Sequence, residues 1–198
     1  MKVKVCGLTR PQDAALSCEL GAWACGLIFA GHSPRKLALD QAKAVREKIA
    51  WPALAVGVFE GNTAEEIARA AEVLRLDMVQ LPSGELAKAA GLSSIAVLAP
   101  GEAAPAGAAA LLVEPKRAKG DRKAGKKPSQ AEIEAAWKAA AGLKGLVLVA
   151  GGLTPENVAR AIEASGCDGV DVASGVESTL GFKDAEKLRA FFAAAGSL

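Results

Sequence analysis

Histidine is almost absent from this chain: His32 is the only one. That removes the imidazole-rich metal centre and leaves any metal chemistry to cysteines and carboxylates, so no metal is expected. Charge of one sign is lacking too. The 24 basic and 22 acidic residues leave a net charge of +2, which gives no general pull towards nucleic acid or an anionic membrane, so any anion must be held locally. The four cysteines, Cys6, Cys18, Cys25 and Cys167, form no C-x-x-C pair and staple no short scaffold; they read as reduced cytosolic thiols. The first residues lack the apolar core of a signal peptide, and no apolar run nears the ~20 residues that cross a bilayer. A cytoplasmic protein is the expectation.

What is present is a repeated unit. Short apolar or β-branched runs recur eight times, at Val3 to Cys6, Ala24 to Phe29, Leu54 to Phe59, Met78 to Leu81, Ile95 to Leu98, Ala110 to Val113, Leu146 to Ala150 and Gly169 to Val172. Between most of them lie Ala/Leu/Glu/Lys segments of helical spacing with recognisable starts: Asp40 before QAKAVREKI, Thr63 with Glu66, Ser129 with Glu132, and Thr154 followed by Pro155. Runs such as LAVGVF and LVLVA do not alternate, as expected of parallel strands covered by helices on the outside. The pattern closes most simply into an α/β (β/α)8 barrel, one catalytic domain over residues 1–198. The rival, a doubly wound open sheet, lacks its G-x-G-x-x-G first turn. APGEAAPAGAA, between the fifth and sixth runs, is too rich in proline and glycine for a helix, so the fifth helix is expected to be missing or vestigial. Lys116 to Gln130, KRAKGDRKAGKKPSQ, reads as a long polar loop.

In such a barrel the site forms at the C-terminal strand ends. Cys6 and Gly7 follow the first run; His32, Ser33, Pro34 and Arg35 the second; Gln80 ends the fourth; Glu114 follows the sixth; Gly151 and Gly152 the seventh; Ala173, Ser174 and Gly175 the eighth. The two small-residue turns on neighbouring strands, each leading to an expected helix N-terminus, can cradle a phosphate with bare amides. Either could equally be a mere tight turn. Cys6, near Lys4 and Arg35, can have its thiol pKa lowered and act as base or nucleophile, or it can simply pack. Glu114 can donate a proton if partly desolvated, or be a solvated glutamate. Arg35 offers a planar fork to a carboxylate, or a surface salt bridge. His32 reads as a loop histidine; Trp23, Trp51 and Trp137 read as packing residues, and Cys18, Cys25 and Cys167 as core.

Taken together, KVCGLTRPQDA, GLIFAGHSPRKL, VGVF, LDMVQL, AGGLTPENV and GVDVASGVES-TLGFKD resemble the successive signatures of the phosphoribosylanthranilate isomerases of tryptophan biosynthesis, in order from Lys4 to Asp184. That family lacks a proper fifth helix as well. The resemblance implies a cofactor-free Amadori rearrangement of N-(5-phospho-β-D-ribosyl)anthranilate, with an acid that opens the ribose ring and a base that removes the C2 proton. The family's base falls on Cys6, its phosphate site on Gly151, Gly152, Ser174 and Gly175, and its anthranilate-binding arginine on Arg35, with Gln80 a further substrate contact.

Three positions depart from the family pattern. Its acid, an aspartate ending strand six in a pattern like LLLD, is matched by Glu114, one methylene longer; Asp171 is the reserve acid and otherwise a substrate contact. QLPSGE stands where the family reads QLHG, and the basic run from Lys116 to Lys127 replaces its glycine-rich loop. Other phosphate-binding barrels fit less well: a pentose-phosphate epimerase wants a metal held by histidines, and indole-glycerol-phosphate synthase a lysine at a strand end. A phosphate-sensing barrel that has lost its acid is the non-catalytic alternative. An apolar content of 51%, with Trp23 and Trp51 exposed, would suit a homodimer.

Overall fold

A computed structural model describes residues 1–89, 91–116 and 128–196. Eight parallel strands close into a barrel in sequence order, β1 (Lys2–Cys6), β2 (Ala24–Ile28), β3 (Leu54–Val58), β4 (Met78–Pro82), β5 (Ser94–Leu98), β6 (Ala110–Val113), β7 (Val147–Ala150) and β8 (Gly169–Val172), with β8 pairing back onto β1. Each strand lies within a residue of the run that announced it. The reason is burial on both faces. The outer faces pack against the helices in one continuous cluster that includes Val5, Leu27, Phe59, Leu81, Trp137 and Phe191, while Ala24, Val56, Met78, Ile95, Ala110, Leu112, Leu148 and Ala150 fill the interior. Period-two alternation then decides which side chains enter the barrel.

Helices α1 (Pro11–Glu19), α2 (Leu39–Arg46), α3 (Ala64–Leu74), α4 (Gln130–Ala140), α5 (Val158–Ser165) and α6 (Ala185–Ala194) wrap the sheet. The capping boxes at Thr63/Glu66 and Ser129/Glu132 form as expected, each serine or threonine accepting from the N3 amide. Two expected starts move. Helix α2 begins at Leu39, because the Gln41 side chain reaches back to the Ala38 amide at 3.0 Å, which puts Asp40 inside the first turn rather than at the cap. Thr154-Pro155 opens a turn, closed by the Asn157 side chain accepting from the Thr154 amide at 2.8 Å, and α5 starts only at Val158.

No helix separates β5 from β6, as the prolines of that link required. The link between β4 and β5 is reduced as well, to a 3-10 segment, Ser83–Ala89, with glycines at 84 and 91. Trp137 is buried, Trp23 half-buried, and Trp51 stands 91% exposed, so Trp51 is not the packing residue expected. Of the polar loop from Lys116 to Gln130, residues 117–127 lie outside the described residues. Among the described residues no helix is long and apolar enough to cross a membrane.

After β8 the chain adds a 3-10 turn, Ser174–Val176, and a small antiparallel hairpin, β9 (Glu177–Thr179) and β10 (Phe182–Lys183). It is pinned over the opening of the barrel from the β1 side. Thr9 donates its hydroxyl to the Gly181 carbonyl, Arg10 Nη2 donates to the Lys183 carbonyl at 2.9 Å, and the Lys183 amide donates to Asp13 Oδ2 at 3.0 Å.

Candidate active site

The strand order Cys-Gly at the end of β1 has a geometric cause. Gly7 adopts φ +69°, and a Cβ there would sit 2.6 Å from Arg35 Cδ, so only glycine lets the Arg35 side chain cross the first turn. The Gly7 and Leu8 amides both donate to the Gly26 carbonyl, at 3.0 and 3.1 Å, which fixes the chain just past Cys6. Gly26 in turn makes room for the thiol: a Cβ on it would lie 2.9 Å from Cys6 Sγ. Cys6 therefore faces the inside at the top of the barrel, packed with Ile28, Ala30, Val58 and Ala173.

Beneath the thiol lies a buried ion pair. Lys4 and Asp171 are register partners on β1 and β8, and Lys4 Nζ meets Asp171 Oδ1 at 2.7 Å with the lysine side chain wholly excluded from solvent. Burial works against the Lys4 charge, but Asp171 and the neighbouring Cys6 outweigh it and the lysine pKa is raised. Burial also dominates at Cys6. It pushes the thiol above its ordinary value, with Lys4 and Lys183 opposing, so the sequence-based expectation of a lowered thiol pKa is overturned. A cationic neighbourhood exists, but desolvation of the thiolate is the larger effect.

A second charged cluster stands beside it. Arg35 donates from Nε and Nη2 to the two carboxylate oxygens of Glu177, both at 2.7 Å, and Lys183 Nζ donates to Glu177 Oε1 at 3.1 Å and to the Ala173 carbonyl at 2.9 Å. Arg35 is thus neither a loose ligand nor a surface pair but a half-buried member of a network. Burial raises the Glu177 carboxyl pKa, yet its bonds to Arg35 and Lys183 win and hold it low; burial lowers that of Lys183. Sequence reading named neither Glu177 nor Lys183 as site residues. The only signal was a glutamate and a lysine bracketing the Thr-Leu-Gly turn of GVESTLGFKD.

Gln80, on β4 and 7% exposed, carries a side-chain oxygen with no hydrogen-bond partner among the described residues. Alternation aims it inwards with Met78, and an orphaned buried acceptor is a cost that a ligand's donor would relieve. Glu114 follows β6, and its amide donates to the Leu98 carbonyl at 3.0 Å, extending the ladder by one residue. The same alternation that turns Ala110 and Leu112 inwards turns Glu114 inwards too. Strands β7 and β8 separate it from Cys6, so carboxyl and thiol come from different sides of the ring.

The two small-residue turns meet. Gly151 and Gly152 have φ of +87° and +71°, and Cβ atoms there would run into Pro115 and Ile133; a Cβ on Gly175 would lie 1.8 Å from the Leu153 carbonyl oxygen. The β7 and β8 turns are therefore packed edge to edge at bare backbone, which suits an anion cradle. The helix support differs from expectation: the turn after β8 leads only into a three-residue 3-10 segment, and α5 is delayed by the Thr154–Asn157 turn. His32 lies apart from this cluster, its Nε2 3.2 Å from Glu60 Oε2. Cys25 and Cys167 are core residues as expected, and Cys18 is half-buried. Among the described residues no group of three or more His, Cys, Asp or Glu side chains is placed to hold a metal ion.

Comparison with known proteins agrees in sequence and in fold. Residues 3–194 match the family model described as N-(5'phosphoribosyl)anthranilate (PRA) isomerase. A relative from Myxococcus xanthus, N-(5'-phosphoribosyl)anthranilate isomerase, is 37% identical over 100% of this chain and 97% of its own length. The solved phosphoribosyl anthranilate isomerase of Thermus thermophilus superposes with a TM-score of 0.80 at 34% identity, covering 100% of this chain and 99% of that one. Another solved isomerase, bound to reduced 1-(o-carboxyphenylamino)-1-deoxyribulose 5-phosphate, superposes with a TM-score of 0.74 at 26% identity over 100% of both chains.

Proposed function

This chain belongs to the N-(5'-phosphoribosyl)anthranilate isomerase family, and on that premise we propose how its own residues divide the work. The enzyme carries out the Amadori rearrangement of tryptophan biosynthesis, converting N-(5'-phosphoribosyl)anthranilate to 1-(2-carboxyphenylamino)-1-deoxyribulose 5-phosphate. The reaction needs two proton transfers. An acid delivers a proton to the ribose ring oxygen, which opens the ring to an iminium; a base then takes the C2 proton to give an enolamine that becomes the ketone.

Cys6 is the base in this assignment and Glu114 the acid. Gln80 offers its orphaned oxygen to a donor on the substrate, Arg35 receives the anthranilate carboxylate, and Asp171 holds Lys4 below the thiol at the floor of the substrate site. Gly151, Gly152, Ser174 and Gly175 present their amides to the phosphate. The observation that carries the reading is the buried thiol itself, set at the top of the barrel interior among Lys4, Lys183 and Arg35. Around the thiol those three cations are paired with two carboxylates, Asp171 and Glu177, an arrangement that suits a doubly anionic substrate. Turnover of the natural substrate by the purified protein is the direct test, and its failure would leave the sensing alternative.

Gly175→Ala tests the phosphate assignment. The new methyl group collides with the Leu153 carbonyl and must push the two turns apart. Losing one charge-assisted contact to the phosphate raises KM about 10- to 100-fold while kcat changes little. Steady-state kinetics with inorganic phosphate as competing ligand read this out; an unchanged KM moves the phosphate elsewhere. The proposal also takes residues 1–198 as one cytoplasmic catalytic domain that pairs as a homodimer through the face that carries the exposed Trp51. Sedimentation velocity gives the dimer mass for the wild type and the monomer mass for Trp51→Glu. A monomeric wild type overturns the pairing.

A further inference from the structure

Arg35 is not free to choose its orientation. Glu177 takes the Nε–Nη2 edge of the guanidinium in a two-bond fork, with the arginine side chain 16% and the glutamate side chain 6% exposed. A guanidinium has five N–H donors. The fork uses two, and the remaining edge, Nη1 with the second Nη2 proton, is the one that can meet another carboxylate in the same two-bond geometry. Below the arginine the bare Gly7 backbone leaves the side chain room for this course, since a Cβ there would lie 2.6 Å from Arg35 Cδ.

A carboxylate that grips a substrate-binding arginine ought to cancel its charge. Here it does not, because Lys183, whose side chain is wholly buried, shares the same carboxylate and leaves the trio at net +1. Lys183 also ties the trio to the barrel through the Ala173 carbonyl, and the hairpin that carries both residues is fastened to the loop after β1 at Thr9 and Arg10 and to α1 at Asp13. The fork is therefore fixed to β1 and β8, the two strands that carry Cys6 and Asp171.

We propose that Glu177, held by Lys183, is a positioning residue that presets the free edge of Arg35 for the anthranilate carboxylate without neutralising it. This rests on the reading that Arg35 receives that carboxylate. An arginine already ordered before substrate arrives loses no side-chain entropy on binding, and the gain appears in substrate affinity.

The test compares Glu177→Ala, Glu177→Gln, Arg35→Ala and the Arg35→Ala/Glu177→Ala double variant on two substrates: N-(5'-phosphoribosyl)anthranilate and its analogue lacking the carboxylate, N-(5'-phosphoribosyl)aniline. Glu177→Ala raises KM for the carboxylated substrate about tenfold or more, the worth of a charge-assisted contact. It leaves kcat nearly unchanged and leaves KM for the aniline analogue at the wild-type value. Glu177→Gln, which keeps the size and one acceptor, falls between. In the Arg35→Ala background the second substitution adds nothing.

A KM rise of equal size for both substrates, or the same increment with Arg35 already gone, shows that Glu177 only supports the fold, and overturns the inference. Arg35→Ala with an unchanged KM for the carboxylated substrate is the distinct result that removes Arg35 from the substrate, and the inference with it. Thermal melting shows which variants fold; should Glu177→Ala melt below the assay temperature, Glu177→Gln carries the comparison.

Discussion

Cys6→Ser lowers kcat by about 10²- to 10⁴-fold, the usual contribution of a positioned acid or base, while KM stays near the wild-type value. A serine hydroxyl fits the space that Gly26 leaves, so packing survives. What disappears is a thiol, a far stronger acid than the alcohol that replaces it. The thiol itself is costly to ionise here: burial raises its pKa above the ordinary 9.0, and Lys4 recovers only part of that. The sign of the pH dependence follows. With the thiolate as the proposed base, each pH unit below the raised pKa adds about tenfold to the reactive fraction, and kcat/KM climbs through neutral pH towards the alkaline side. Turnover measured across that range, on wild type and Cys6→Ser, checks both statements. A flat wild-type profile or near-normal activity in the serine variant takes Cys6 out of the mechanism.

The sequence showed the barrel well because its strands are buried on both sides, which forces apolar runs such as LAVGVF and LVLVA that surface requirements cannot disguise. Capping boxes at Thr63 and Ser129 were equally plain, since both partners lie three residues apart. The misplaced start at Asp40 shows the limit of that signal: an acidic residue suits the first turn as well as the cap, and only the Gln41 contact with Ala38 distinguishes the two.

The charged half of the site was hidden for another reason. Lysine is almost never buried without a partner, and the sequence shows no partner for either residue, so Lys4 reads only as a neighbour of Cys6 and Lys183 is not singled out. Asp171 arrives from 167 positions away. Glu177 lies near Lys183 in sequence, but the pair acquires meaning only when a hairpin lays it across Arg35. Motif resemblance pointed to Cys6 and Arg35 while saying nothing of how either is held. The thiol pKa failed in the same way, because proximity to cations can be guessed from strand order whereas the depth of burial that outweighs it cannot.

Glu114→Gln is expected to cost kcat about 10²- to 10⁴-fold, because the amide keeps the shape of the side chain but has no proton to give the ring oxygen. Asp171 is the competing acid, and the two substitutions part by more than activity. Asp171→Asn leaves Lys4, wholly buried, beside a neutral amide, and breaking a buried ion pair costs stability on the order of 3–5 kcal/mol; the variant should melt well below the wild type. Glu114→Gln leaves the Lys4–Asp171 pair itself intact and should keep the wild-type position of Lys4. Assays run below both melting temperatures then separate acid from scaffold. If Asp171→Asn abolishes turnover while folded and Glu114→Gln leaves it intact, the acid is Asp171. Glu114→Asp refines the outcome. The shorter side chain restores the proton donor at the strand end with one methylene less reach, so activity well above that of the glutamine variant attributes the loss to the missing proton and not to altered packing. In the proposed assignment the carboxyl group just past β6 and the thiol on β1 then approach the sugar from separate strands, which lets one group open the ring while the other waits at C2.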